Sequence, residues 1–120
     1  MVLLIRILER TPLIGRYLVL IFQRHVDRMA AVELVSHELD LNAEVVSHDR
    51  PQQSFVNEFQ FSAWDAHRQQ VIVAGRRRPD IRDAVISAYD ELRLTVTRGA
   101  PPPSSEALQS AAALLRELTS

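Results

Sequence analysis

Cysteine and lysine are both missing from this 120-residue chain, and glycine occurs only three times. Without cysteine there is no disulfide framework, no thiolate nucleophile and no zinc knuckle, and nothing points to an oxidising compartment. A cytoplasmic position is therefore the default expectation. Gly15, Gly75 and Gly99 are too scattered to build a phosphate-cradling loop. Charge of one sign is also lacking: 14 basic residues, all Arg, face 15 acids for a formal net charge of -1. That balance offers no concentrated basic surface for nucleic acid, so none is expected as a partner. The one basic run, Arg76-Arg77-Arg78, stands beside Asp80 and Asp83 and reads as a solvated turn. No nucleophile sits beside a base and the carboxylates are dispersed, so we expect no enzyme and no cofactor.

A clean membrane-spanning run is absent as well. Residues 2–22 are rich in Leu and Ile but carry Arg6, Glu9, Arg10 and Arg16, whereas a spanning helix wants about 20 mainly apolar residues. No small-residue cleavage site follows an apolar run, which argues against a secretory signal. The stretch from Leu13 to Phe22 would cover about 15 Å at about 1.5 Å per residue, half of a bilayer core. It suits an interfacial or shallowly inserted helix.

What is present is one long helical pattern with two characters. Thr11 followed by Pro12 is a good helix start, and Asp49, Arg50 and Pro51 end the pattern after His48. From Tyr17 to Phe22 every position is apolar, while from Met29 to Val46 the helix is two-faced. Residues 1–28 carry five Arg against Glu9 and Asp27, a net of +3. Leu13, Ile14, Arg16, Tyr17, Leu18, Leu20, Ile21, Phe22 and Arg24 thus form an arm for a membrane surface or a partner protein. Its arginines can snorkel toward lipid phosphates with their stems along apolar surface. Burial of the same arm in a homo-oligomer is the competing expectation, since a helix apolar all round must be covered.

Three further helices follow. Ser62-Ala-Trp-Asp65 looks like a capping box with Asp in the Glu position, opening a helix to Ala74 that Gly75 closes. Pro79-Asp80 opens the next, with Ile81, Val85, Ala88, Tyr89, Leu92 and Val96 at helical spacing up to Gly99. Ala100–Ser105 is a stiff proline-rich linker. Beyond it Leu108, Ala111, Leu115 and Leu118 make a short stripe that can pack on the body or on another chain. The expected architecture is an all-α small helical bundle with a long first helix. It divides into an arm (1–28), a body (29–98), a linker (99–105) and a C-terminal helix (106–120). The alternative is a small α+β domain, because Ser54–Phe61 alternates in part, Val71–Val73 is β-branched, and Leu92, Leu94 and Val96 alternate with polar residues.

On the first helix, about 100° per residue places Glu33, His37, Asp40, Glu44 and His48 on one stripe and Ala31, Leu34, Val35, Leu41, Val45 and Val46 opposite. The acid and histidine stripe lacks the inward-facing Glu-x-x-His pairs of a di-iron bundle, so it reads as a salt-bridged outer face and not as a metal site. Ser36-His37-Glu38-Leu39 resembles the start of the phosphoacceptor box of sensor histidine kinases, which would imply phosphotransfer on His37. Asp40 stands where that family has a basic residue, and no proline follows.

Glu38 and Asn42 lie one turn apart and point to the apolar side, where a lone carboxylate is costly unless bonded. Trp64 through its indole N–H, Tyr89 through its hydroxyl, and Arg68 or Arg82 through their charge are the expected partners, making a buried polar cluster that fixes helix register. An acid and an Asn one turn apart, then Phe61-Ser62-Ala63-Trp64-Asp65, then Ala88-Tyr89, resembles a loose group of uncharacterised microbial helical modules found just after a membrane anchor. The resemblance spans roughly residues 30 to 95. It implies a membrane-proximal helical bundle and no particular activity. Arg16 interrupts the position where that group carries its anchor.

Overall fold

The computed structural model describes residues 12–48 and 50–119, with side chains from Leu18 onward except Ile21 and Gln53. The Thr11 cap, Arg6 and Arg10 lie outside the described residues, as do the side chains of Leu13, Ile14, Arg16, Tyr17 and Ile21.

Helix α1 runs over Pro12–Ser47, 36 residues, or about 54 Å. After it come a one-turn helix α2 (Gln52–Phe55) and a 3-10 turn (Val56–Glu58), then α3 (Ser62–Ala74), α4 (Pro79–Arg98) and α5 (Ser105–Arg116), with a closing 3-10 turn at Glu117–Thr119. The fold is all-α, and no strand occurs among the described residues. The segment from Ser54 to Phe61 that alternates in sequence forms the short helix and turn instead. Phe55 and Phe59 meet edge to face there, 5.8 Å between centroids, and both are buried.

Chain direction follows from which ends meet. Ala63 and Trp64 at the start of α3 bond Glu38, whereas Val73 and Ala74 at its end share a cleft with Met29 and Val32 of α1 and with Leu118 and Thr119. Helices α3 and α5 therefore run antiparallel to α1. At the other end Gln52 Nε2 donates to the carbonyls of Gly99 and Ala100, at 3.3 and 3.0 Å, so α4 runs in the same direction as α1 and the bundle is up-down-up-down. The pairing of α1 with α5 is the most extensive, and α3 packs on α1 next. Leu108, Ala111, Ala112 and Leu115 of α5 are all buried, so its stripe folds back on the body.

Two helix ends show why glycine stands there. Gly99 adopts the left-handed conformation at φ 69° and its N–H bonds Thr95 O at 3.1 Å, ending α4 in an αL cap. Gly75 has an ordinary φ of -87°, but a Cβ on it would lie 3.0 Å from Arg82 Cβ. Its role is to let the end of α3 approach α4.

The inward face of α1 is rotated from the expected one. Ala31 and Val35 are buried, but so are Val32, Ser36, Leu39 and Ala43, while Leu34 is half exposed and Leu41, Val45 and Val46 are only partly covered. Small and polar residues take inward places because their polar atoms are satisfied within the bundle, as when Ser36 Oγ donates to Val32 O at 2.6 Å. On α4, Val96 is exposed and Thr95 takes the buried place. Its hydroxyl donates back to Glu91 O at 3.0 Å.

Candidate functional site

Helix α3 begins without help from its own sequence. The position before its first residue is Phe61, which has no capping side chain, so the first N–H groups need acceptors from elsewhere. Glu38 supplies them from α1. Its Oε2 accepts from Ala63 N at 2.7 Å and its Oε1 from Trp64 N at 3.1 Å, and the Tyr89 hydroxyl donates to Oε1 at 2.8 Å. The carboxylate is thus a remote N-cap at the positive end of α3, where negative charge is favoured. It joins three helices at one point.

The expected capping box does not form. Ser62 is the first helical residue instead of the cap, and Asp65 forms an ion pair with Arg93, whose guanidinium lies 4.4 Å over the Phe61 ring. Nor does a cation pair with Glu38. Arg82 pairs with Asp83 at 3.1 Å and Arg68 sits over the outer face of Trp64, because backbone N–H groups already fill the carboxylate. Trp64 contributes its main-chain N–H, while its ring stacks on Tyr89, 4.7 Å between centroids and 3° from parallel. Such a stack adds about 0.5–1.5 kcal/mol beyond area burial.

Asn42, one turn along, forms a separate contact. Its Nδ2 donates to Gln60 O at 2.9 Å and its Oδ1 accepts from Gln60 N at 2.8 Å, pinning the segment that leads into α3. The structure therefore brings Glu38, Trp64 and Tyr89 into one cluster and gives Asn42 its own backbone partner. Burial holds the Tyr89 hydroxyl well above the usual phenol range, with the Glu38 charge and hydrogen bond acting in the same direction. Its proton stays in place at any ordinary pH. Among the described residues no buried side-chain nitrogen or oxygen lacks a partner, so the cluster presents no free group to a ligand.

The acid and histidine stripe of α1 faces outward: Glu33, His37, Glu44 and His48 are exposed, and Asp40 pairs with Arg116 of α5. No group of three acid or histidine side chains capable of holding a metal occurs among the described residues.

The second feature is the arm. Residues Leu18 to Ala30 with described side chains are all exposed, Leu18, Val19 and Leu20 at about half and Phe22 at 70%. Arg24 is exposed just below them. Among the described residues no helix is long and apolar enough to cross a membrane. Where the arm joins the bundle, a cleft of about 290 Å³ is lined by His25, Arg28, Met29, Arg76 and Arg77 among others. The arginine run is exposed and lies in the turn that its sequence suggests, at Gly75–Arg77 and Arg78. Its approach to Arg28 depends on the antiparallel return of α3, which no local pattern announces.

No family model matches the chain, and neither a curated protein nor a solved structure does.

Proposed function

We propose that the protein is a non-enzymatic helical interaction module held at a membrane surface by its N-terminal arm. The carrying observation is the apolar girth of α1 above the bundle. At about 100° per residue Leu18, Val19 and Leu20 point in three directions, with Phe22 between the first two, so exposed apolar side chains cover more than half of the helix circumference. A coiled-coil seam needs two apolar positions in seven and leaves the rest polar. An environment that is apolar on every side suits this segment better.

Burying four such side chains contributes on the order of 6 kcal/mol before the cost of association. Arg24, His25 and Arg28 follow within two turns, at the level where guanidinium groups meet phosphates. The resemblance to helical modules beside a membrane anchor supports the same reading. With no cysteine in the chain, we assign the cytoplasmic leaflet, whose anionic lipids attract basic collars.

Self-association through the arm is the second reading, and it rests on the same exposed surface. Co-sedimentation with vesicles separates the two. The full chain pellets with lipid and Leu20→Glu/Phe22→Glu stays in solution if the arm inserts. A chain that ignores lipid but dimerises with rising concentration supports self-association, and a lipid-indifferent monomer removes both readings.

A further inference from the structure

We propose that the cleft at the junction of arm and bundle is a binding site for the headgroup of an anionic phospholipid. The proposal rests on the membrane reading and adds the lipid class and the residues that select it. Five arginines of the bundle pair with carboxylates: Arg50 with Glu58, Arg78 with Asp80 and Glu117, Arg82 with Asp83, Arg93 with Asp65 and Arg116 with Asp40, while Arg68 lies over the Trp64 ring and Arg98 stands apart at the far end of α4. Arg28, Arg76 and Arg77 have no carboxylate partner among the described residues, and all three line the one cleft, with His25 beside them. Asp27 and Glu33, the acids on that stretch of α1, do not line it.

Like charges gathered without counter-charge repel one another, and an anion between them relieves that repulsion. The guanidinium fork suits phosphate oxygens in particular. Beneath the cations the floor is apolar, with Met29, Val32 and Leu118, which fits the glycerol end of a lipid. At about 290 Å³ the space is at the small end of ligand clefts, which run from about 300 Å³, and so matches a headgroup and not a large cofactor. Its position selects a lipid over a free anion. The cleft opens at the base of the arm, along His25 to Val32 of α1, next to the segment that would enter the bilayer, and the α3–α4 turn brings Arg76 and Arg77 to the same level.

The test compares the full chain on phosphatidylcholine vesicles with vesicles containing phosphatidylglycerol. The expected result is tighter binding to the anionic vesicles, with Arg76→Gln/Arg77→Gln losing about thirtyfold of that affinity, as about 1 kcal/mol per basic residue near the surface implies, while keeping its binding to neutral vesicles. Arg98→Glu makes the same change in net charge on an exposed residue at the opposite end of α4 and should keep the preference. Equal binding to both vesicles, or an equal loss in Arg98→Glu, overturns the headgroup site but leaves the arm reading intact. Binding to neither overturns both. Saturable binding of inorganic phosphate in the absence of vesicles would make a free anion the ligand and overturn the lipid assignment.

Discussion

The Tyr89 hydroxyl donates to Glu38 Oε1 at 2.8 Å across 51 residues of chain, and the same oxygen accepts from the Trp64 N–H. Helices α1, α3 and α4 are therefore held in register by one carboxylate. Glu38→Ala leaves two N–H groups and a buried hydroxyl without their acceptor, and hydrogen bonds to a charged group contribute about 1.5–3 kcal/mol each before relaxation and water entry reduce the sum. The expected loss is about 3–4 kcal/mol in urea denaturation. Glu33→Ala, on the exposed face of the same helix, should change stability by less than about 0.5 kcal/mol.

Tyr89 makes stability fall at alkaline pH. Its hydroxyl loses a proton near pH 10 in the unfolded chain, but burial and Glu38 raise the folded value well above that. Below about pH 10 both states hold the proton and the contribution is complete. Above it only the folded state does, so stability declines by about 1.4 kcal/mol per pH unit for this one group until the folded value is reached. Tyr89→Phe should be less stable at neutral pH and should lose that share of the alkaline slope. Melting curves from pH 8 to 11 for the two chains check it.

The need for a cluster was legible because Glu38 and Asn42 interrupt an apolar helix face, and buried polar groups require partners. The partners were less legible. Backbone N–H groups at the start of α3 and the backbone of Gln60 leave no side-chain signature, whereas Arg68 and Arg82 advertise charge without supplying it to Glu38. Ser62 and Asp65 match a capping spacing, but the chain enters α3 one residue earlier at Phe61, and tertiary contact with Glu38 replaces the local cap. The all-α fold and the ends of α3 and α4 were readable from Gly75, Pro79 and Gly99. The rotation of α1 was not, since Leu34 and Leu39 are equally apolar and only the positions of α3 and α5 decide which one is covered.

Asn42 discriminates between losing bonds and opposing them. Its partner Gln60 is exposed, so water can serve that backbone when the side chain is removed, and Asn42→Ala should cost about 1–2 kcal/mol. Asn42→Asp directs a buried carboxylate oxygen at the Gln60 carbonyl and should cost more, about 2–3 kcal/mol at neutral pH. Urea titrations rank the two, and an Asp variant as stable as the Ala variant would contradict the geometry.

The two glycines after α3 and α4 should respond differently to the same substitutions. Gly75→Ala places its Cβ 3.0 Å from Arg82 Cβ with no backbone strain, so α3 and α4 must separate slightly, at about 1 kcal/mol or more. Gly99→Ala meets open space but strains a left-handed residue, costing about 1–2 kcal/mol. Asn tolerates that conformation, so Gly99→Asn should recover much of the loss. At Gly75 the larger Asn side chain should only worsen the crowding. Thermal melts of the four variants test both assignments.

Arm and bundle should be separable in energy, because residues with described side chains from Leu18 to Ala30 are exposed and the buried part of α1 begins at Ala31. Leu20→Glu/Phe22→Glu removes apolar surface that the bundle does not use. It should therefore leave the urea midpoint of the lipid-free protein within about 0.5 kcal/mol of the parent, the range for surface changes away from buried features. Leu39→Ala, which empties a fully buried position on the same helix, should cost about 2–5 kcal/mol and leave vesicle binding unchanged as long as the protein stays folded. A large loss of bundle stability from the arm substitutions would mean that the arm is covered by protein in solution, and would favour the self-associated form over the lipid-bound one.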